Sequence, residues 1–188
     1  MSNNITMITE DQLKKIWAGC LSNDRKQEEL FYKTLATRMM AVCLRYAHDK
    51  DEAQDILQEG FIKAFQNRNN YRGEGSLEGW VRRIMVHSAI SRYRKMKSVV
   101  YCEDMGETNF RGAYHNDKLE AADLMYMINQ LPDTYRSVFN MYAIEGYSHQ
   151  EIGTALGMTE LVSRTTLCRA RTVLRSRLGK LEGYRMAV

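Results

Sequence analysis

The chain has 188 residues, a formal net charge of +4, 12 glycines and one proline. No window approaches the roughly 18 consecutive apolar residues of a membrane span, which excludes direct membrane insertion. The opening MSNNITMITEDQLKK lacks the basic start and apolar core of a signal peptide, so a cytoplasmic protein is expected.

Long helical periodicities and few alternating β-branched runs predict an all-α fold. Two small helical domains are expected, residues 1–97 and 118–188, joined by a flexible linker over 98–117. The four cysteines, Cys20, Cys43, Cys102 and Cys168, form no CxxC pair, and no histidine stands at zinc-ligand spacing. They are expected to be reduced, with no metal and no cofactor.

In chain order, Thr9 with Gln12 predicts a capped helix from about Glu10 to Gly19. A break follows at Ser22-Asn23-Asp24. Phe31, Leu35, Met39, Val42 and Tyr46 then keep helical spacing to about Ala47, as a core-facing stripe does. After His48-Asp49 a third helix is predicted from about Glu52 to Asn67. Its inner face holds Ala53, Leu57, Phe61, Ala64 and Phe65. Its outer face carries Asp51, Glu52, Asp55, Gln58 and Glu59, either a solvated surface or a docking site. Asp55 and Glu59 are one turn apart, but no histidine and no second carboxylate-bearing helix accompanies them. Paired-carboxylate catalysis therefore has no partner residues here.

Asn67–Gly75 reads as a loop. Gly73-x-Gly75 is not a phosphate cradle, because no strand precedes it and no GK[ST] follows. Ser76 can cap a helix running to about Lys97, with Leu77, Trp80, Ile84 and Met85 as apolar contacts. Around it Tyr71, Trp80 and Tyr93 interleave with Arg72, Arg82, Arg83, Arg92 and Arg94. Rings among cations suit unstacked bases, each ring offering a stacking surface worth about 1–3 kcal/mol; Trp80 also fits a plain core role. His87 lies on the same helix.

Beyond the linker a helical pattern resumes with Leu119, Ala122, Met125 and Ile128. Leu131-Pro132 ends or restarts it, and Val138, Met141 and Tyr142 follow. Ser148 with Glu151 is a capping box, Ile152 and Leu156 make one apolar stripe, and Gly157 can end that helix in the left-handed conformation. Thr159 can cap the next one, whose inner face is Ser163, Leu167, Ala170, Leu174 and Leu178. Arg164, Thr165, Cys168, Arg169, Arg171 and Arg175 fall on the other side. This is the pattern of a helix-turn-helix whose second helix enters a DNA major groove. An amphipathic hairpin with a solvated basic face is the alternative.

The charge is unevenly spread. Residues 81–98 hold Arg82, Arg83, Arg92, Arg94, Lys95 and Lys97 with no acid, giving +6. Residues 159–188 carry seven basic side chains against Glu160 and Glu182, giving +5, which leaves the rest of the chain at −7. Two separate basic elements on an otherwise acidic chain point to nucleic acid. Neither a nucleophile elbow nor a metal-ligand cluster is present, so an enzyme is not expected.

Together these segments resemble the bacterial RNA polymerase sigma factors of the extracytoplasmic-function group, which keep only regions 2 and 4. DEAQDILQEGFIKAF (51–65) resembles the region 2 helix that grips the clamp helices of core polymerase. YRGEGSLEGWVRRIMVHSAISRYRK (71–95) resembles the segment that melts and reads the minus-ten element. LPDTYRSVFNMYAIEGYSHQEIGTALG and the arginine-rich helix after it resemble region 4, which binds the polymerase flap and reads the minus-thirty-five element. The resemblance implies that Glu52, Asp55, Gln58 and Glu59 contact core polymerase. It implies that Tyr71–Trp80 forms the loop holding a flipped-out base, with Tyr71, Arg72, Trp80, Arg83 and His87 on DNA. Arg164, Thr165, Cys168 and Arg169 would face the minus-thirty-five groove, and Arg171 a phosphate.

The implied function is an alternative sigma factor that directs promoter-specific initiation, with an anti-sigma factor as a further partner. Three positions depart from the family's pattern. His87 stands where asparagine is usual, Leu161 where glycine is frequent, and Thr165-Thr166 where more polar pairs occur. The competing class is a conventional dimeric helix-turn-helix regulator that binds its operator without polymerase.

Overall fold

The computed structural model describes residues 8–99 and 121–186. Among them every regular element is helical, as expected: α1 (Glu10–Leu21), α2 (Arg25–Cys43), α3 (Lys50–Gln66), α4 (Leu77–Val99), α5 (Ala121–Asn129), α6 (Asp133–Phe139), α7 (His149–Leu156) and α8 (Glu160–Met186). A one-turn 3-10 segment, Arg68–Asn70, follows α3, and a π-helical turn, Asn140–Ile144, continues α6. The expected linker, 98–117, lies outside the described residues except for Ser98 and Val99, which end α4. Leu119 and Cys102 also lie outside them. The chain forms two compact units that divide between Arg92 and Tyr93.

In the first unit the capping signals act where the sequence places them. Thr9 N–H donates to Gln12 Oε1 at 2.9 Å and Gln12 N–H donates to Thr9 Oγ1 at 3.3 Å. Helix α1 then runs to Leu21, past the expected Gly19. Asn23 takes a left-handed conformation with φ 61°, and Asp24 caps α2 by accepting from Lys26 N–H at 2.9 Å. Asp49 does the same for α3, accepting from Glu52 N–H at 2.7 Å. That cap starts α3 at Lys50, two residues before the expected Glu52.

The stripe Phe31, Leu35, Met39 and Val42 is buried, and Tyr46 and Ala47 extend it. Ala53, Ile56, Leu57, Phe61 and Ala64 of α3, which packs on α2, are buried with it, as are Leu77, Val81, Met85, Val86, Ala89 and Ile90 of α4. Each large side chain taken fully out of water stabilises the unit by about 1.5–3 kcal/mol. Trp80 and Ile84, expected among the apolar contacts of α4, are only half-buried. The inner row of α4 runs through Leu77, Val81 and Met85 at i, i+4 spacing, which puts Trp80 and Ile84 at its edge.

Two polar links cross this unit. Ser76 Oγ accepts from Gly79 N–H at 3.3 Å and so caps α4. Glu10 of α1 adds a second cap, its carboxylate accepting from Leu77 N–H at 2.7 Å and from Ser76 Oγ–H at 3.2 Å. A carboxylate there meets the positive end of the helix dipole. Arg68 donates to Glu28 Oε1 at 2.8 Å, to Phe65 carbonyl at 2.6 Å and to the Cys20 carbonyl, tying three helices together. Cys20 and Cys43 are free and buried. Burial pushes their thiols up to about 11 and about 12, so both stay protonated and unreactive.

The second unit packs Met127, Ile128, Leu131 and Tyr135 against Ala170 and Leu174 of α8. Pro132 precedes the first residue of α6, as the Leu131-Pro132 signal predicts. Arg177 donates to the carbonyls of Met127 and Gln130 at 3.1 and 3.3 Å. It thereby satisfies carbonyls at the C-terminus of α5, where the helix dipole favours a cation. Buried Arg136 donates to Asn129 carbonyl at 3.2 Å and pairs with Asp133 at 3.0 Å. Part of the basic charge of this half is therefore structural.

Candidate functional site

Helices α7 and α8 form the helix-turn-helix. Ser148 N–H donates to Glu151 Oε2 at 2.8 Å and Glu151 N–H donates to Ser148 Oγ at 3.2 Å, completing the capping box. Gly157 ends α7 with φ 69°, ψ 38°, a conformation that costs a Cβ-bearing residue free energy. Met158 N–H closes back on the Gly153 carbonyl at 2.9 Å. A Cβ at Gly153 would sit 2.7 Å from the Met158 carbonyl oxygen, so only glycine admits this close approach. Thr159 Oγ1 then accepts from Val162 N–H at 3.2 Å and starts α8.

The two faces of α8 separate as the periodicity predicts. Ser163, Leu167, Ala170 and Leu174 are buried, and Leu178 is half-buried. Arg164, Thr165, Cys168, Arg169, Arg171 and Arg175 are all exposed. Arg164 is held by Glu160 one turn earlier, at 2.5 and 3.1 Å. The exposed set thus places four arginines, with Thr165 and Cys168 between them, on the side of α8 opposite its buried row.

A polar contact joins the two helices from inside. His149 Nδ1 and Ser163 Oγ are 2.9 Å apart, both residues buried. Tyr142 stacks on the imidazole, centroids 4.5 Å apart at 20°. The Arg171 guanidinium lies 5.6 Å from the Tyr142 ring centroid, a cation–π distance. Burial, then the positive charges of Arg164 and Arg171, hold His149 below the ordinary imidazole value against an opposing pull from Glu160. The sequence reading missed this pair: a histidine and a serine 14 residues apart leave no local pattern.

In the first unit the sequence-predicted residues Trp80, Arg83 and His87 line one open cleft of about 370 Å³. Ile84 joins them from α4, Lys63 from α3, Asn67 from the C-cap of α3 and Asn70 from the 3-10 turn. The last three were missed, because the fold brings them to α4 from 10 to 24 residues away. Trp80 is edge-on to Trp17 at 5.5 Å and tilted over Tyr71 at 5.7 Å. It therefore belongs partly to the core and partly to the cleft. Tyr71 O–H donates to the Gly75 carbonyl at 2.9 Å, closing the loop that carries Arg72. Arg72 and Arg83 are exposed, as is His87. A cleft with an indole wall and cationic and amide groups can stack a planar ring and bind its polar edge.

The acidic face of α3 is also as expected, with Asp55 and Gln58 exposed and Glu52 and Glu59 half-buried. Several of its carboxylates have cationic partners. Arg92 of α4 reaches Asp55 at 3.0 Å and Glu52 at 3.6 Å. Lys63 reaches Glu59 at 2.6 Å. Arg92, counted in the basic run of α4, faces this acidic surface instead of adding to a cationic one. Among the described residues no group of three or more His, Cys, Asp or Glu is arranged to hold a metal ion, and no helix is long and apolar enough to cross a membrane.

Residues 31–99 match the family Sigma-70 region 2, and residues 121–174 match Sigma-70, region 4. The chain is 27% identical over 183 residues to the RNA polymerase sigma-H factor of Pseudomonas aeruginosa, covering 89% of this chain and 94% of that one. It is 30% identical over 158 residues to the ECF RNA polymerase sigma factor SigW of Bacillus subtilis, covering 77% and 84%. Among solved structures, its fold is similar to that of the sigma factor RpoE, crystallised with the anti-sigma factor NepR from Bartonella quintana. The TM-score is 0.50 at 18% identity, over 80% of this chain and 96% of that one.

Proposed function

Since the chain belongs to the extracytoplasmic-function RNA polymerase sigma factors, we propose that its two units divide promoter recognition between them. The protein is an alternative sigma factor that associates with RNA polymerase. Residues 1–97 act as the region 2 domain, 98–117 as the linker and 118–188 as the region 4 domain. Glu52, Asp55, Gln58 and Glu59 dock α3 on the clamp helices of core polymerase, while the region 4 domain engages the flap. Tyr71, Arg72, Trp80, Arg83 and His87 surround a base extruded from the melted minus-ten element. Extrusion costs a few kcal/mol of unstacking, which stacking and polymerase contacts offset. Arg164, Thr165, Cys168 and Arg169 face the minus-thirty-five major groove, with Arg171 on phosphate. The protein works in the cytoplasm, without catalysis of its own, and an anti-sigma protein is a partner in keeping with the family.

The observation that carries this reading is the α7–α8 pair: its caps, its left-handed Gly157 turn and the clean split of α8 into a buried row and an exposed cationic face. The test is reconstitution. Purified protein mixed with core polymerase is expected to initiate transcription from a defined subset of a promoter library. Promoter affinity is expected to fall with salt at a slope near −0.9 per neutralised phosphate. Failure to associate with core polymerase at low salt, or binding to a palindrome as a polymerase-independent dimer, overturns it.

A further inference from the structure

The exposed face of α8 is not uniformly cationic. At about 100° per residue, Leu161, Thr165, Cys168 and Thr172 fall on one row opposite the buried Ser163, Leu167, Ala170 and Leu174. Arg164, Arg171 and Arg175 lie along one flank of that row and Arg169 along the other. All of these outer residues are exposed. Leu161, at 70%, is the most exposed large apolar side chain among the described residues. Both threonine hydroxyls turn back on their own helix: Thr165 Oγ1 donates to the Val162 carbonyl at 3.0 Å and Thr172 Oγ1 to the Cys168 carbonyl at 3.1 Å. Their protons are engaged, so neither is set to donate to a base. The midline of the face therefore offers methyl groups and a thiol between cationic borders.

A helix lying in a major groove turns its midline to the base edges and its flanks to the two phosphate strands. Thymine presents one apolar group there, its C5 methyl. We propose that the row Leu161–Thr165–Cys168–Thr172 reads thymine methyl groups in the minus-thirty-five element, with Leu161 on the first turn as its principal contact. This rests on the assignment of α8 to DNA recognition. The arginines supply the charge complementarity that seats the helix, and Leu161 adds selection for thymine. An exposed leucine on a soluble helix is otherwise solvated at a cost, and a groove lined with methyls removes that cost.

The test uses holoenzyme reconstituted from the full-length protein and core polymerase. A promoter library randomised over the minus-thirty-five region is selected for binding, and thymine is expected to be enriched on either strand at one or two adjacent positions. The selected fragment is then synthesised with uracil at each thymine in turn, which removes only the methyl. Wild-type holoenzyme is expected to lose roughly three- to fivefold in affinity at one of those positions, the effect of one methyl burial. Leu161→Ala is expected to bind the thymine fragment more weakly and to be indifferent to uracil. A minus-thirty-five footprint with no uracil sensitivity in the wild type overturns the proposal and leaves the sigma-factor reading standing. Undiminished uracil sensitivity in Leu161→Ala transfers the contact away from Leu161 and also overturns it. Absence of any minus-thirty-five footprint or selected sequence defeats both.

Discussion

His149 Nδ1 sits 2.9 Å from Ser163 Oγ, so the first and second helices of the helix-turn-helix are joined by a buried polar pair as well as by apolar packing. The ring is held below the ordinary imidazole value by burial first and by Arg164 and Arg171 second. A lowered histidine value means that the unfolded chain binds the proton more readily than the folded one. Above about pH 6.5 the ring is neutral in both states and adds no slope. As pH falls below that, the unfolded chain gains protons first and stability drops, until the folded value is also passed. Thermal unfolding of the whole protein is expected to show a falling Tm from pH 7 to pH 5, with a smaller fall in His149→Gln. Equal falls in both proteins would remove His149 as the cause.

Gly153→Ala is expected to destabilise the second unit by about 1–3 kcal/mol, the range for forced overpacking. The added Cβ meets a backbone carbonyl at 2.7 Å, which cannot swing aside as a flexible side chain would. Denaturant unfolding followed by circular dichroism measures this directly. A shift under about 0.5 kcal/mol, the size of an inconsequential surface change, would show that the turn relaxes freely.

Reversing Glu59 to Lys is expected to weaken binding to core polymerase several-fold, most at low ionic strength, because charge at an interface acts mainly on association. The fold should survive, since the Glu59–Lys63 pair is an exposed i, i+4 contact worth about 0.3–0.5 kcal/mol. Unchanged capture of core subunits by a folded Glu59→Lys protein would remove α3 from the docking surface.

His87→Asn alters the one imidazole in the cleft of α4. Minus-ten preference in a transcription assay over a promoter set is expected to shift, without loss of core binding. An identical promoter profile would mean that His87 lines the cleft without reading it.

The helices were legible because their signals are local. Capping boxes at Thr9 and Ser148, the left-handed Gly157 and the two rows of α8 each follow from residues within a few turns of one another. What escaped the sequence was long-range. Glu10 capping α4 at Leu77, Arg92 meeting Asp55, and Lys63 and Asn67 entering the cleft with His87 all join residues far apart in the chain. No periodicity encodes such meetings; they exist only once two helices have packed. The misjudged burial of Trp80 and Ile84 has a similar origin, because an apolar residue at the edge of a helical stripe is buried or open according to what neighbour arrives. Counting charge along the chain also misled, since Arg92 and Arg177 serve carboxylates and carbonyls of the protein itself.

The Glu10 carboxylate bears on more than the stability of one helix end. The loop that carries Tyr71 and Arg72 is stapled at its downstream edge by a residue near the start of the chain. Trimming that leading segment, or neutralising Glu10, would slacken a loop distant in sequence that carries Tyr71 and Arg72, the side chains proposed to meet an extruded base, without altering either of them. Opening of the promoter bubble would then respond to an alteration that touches no DNA.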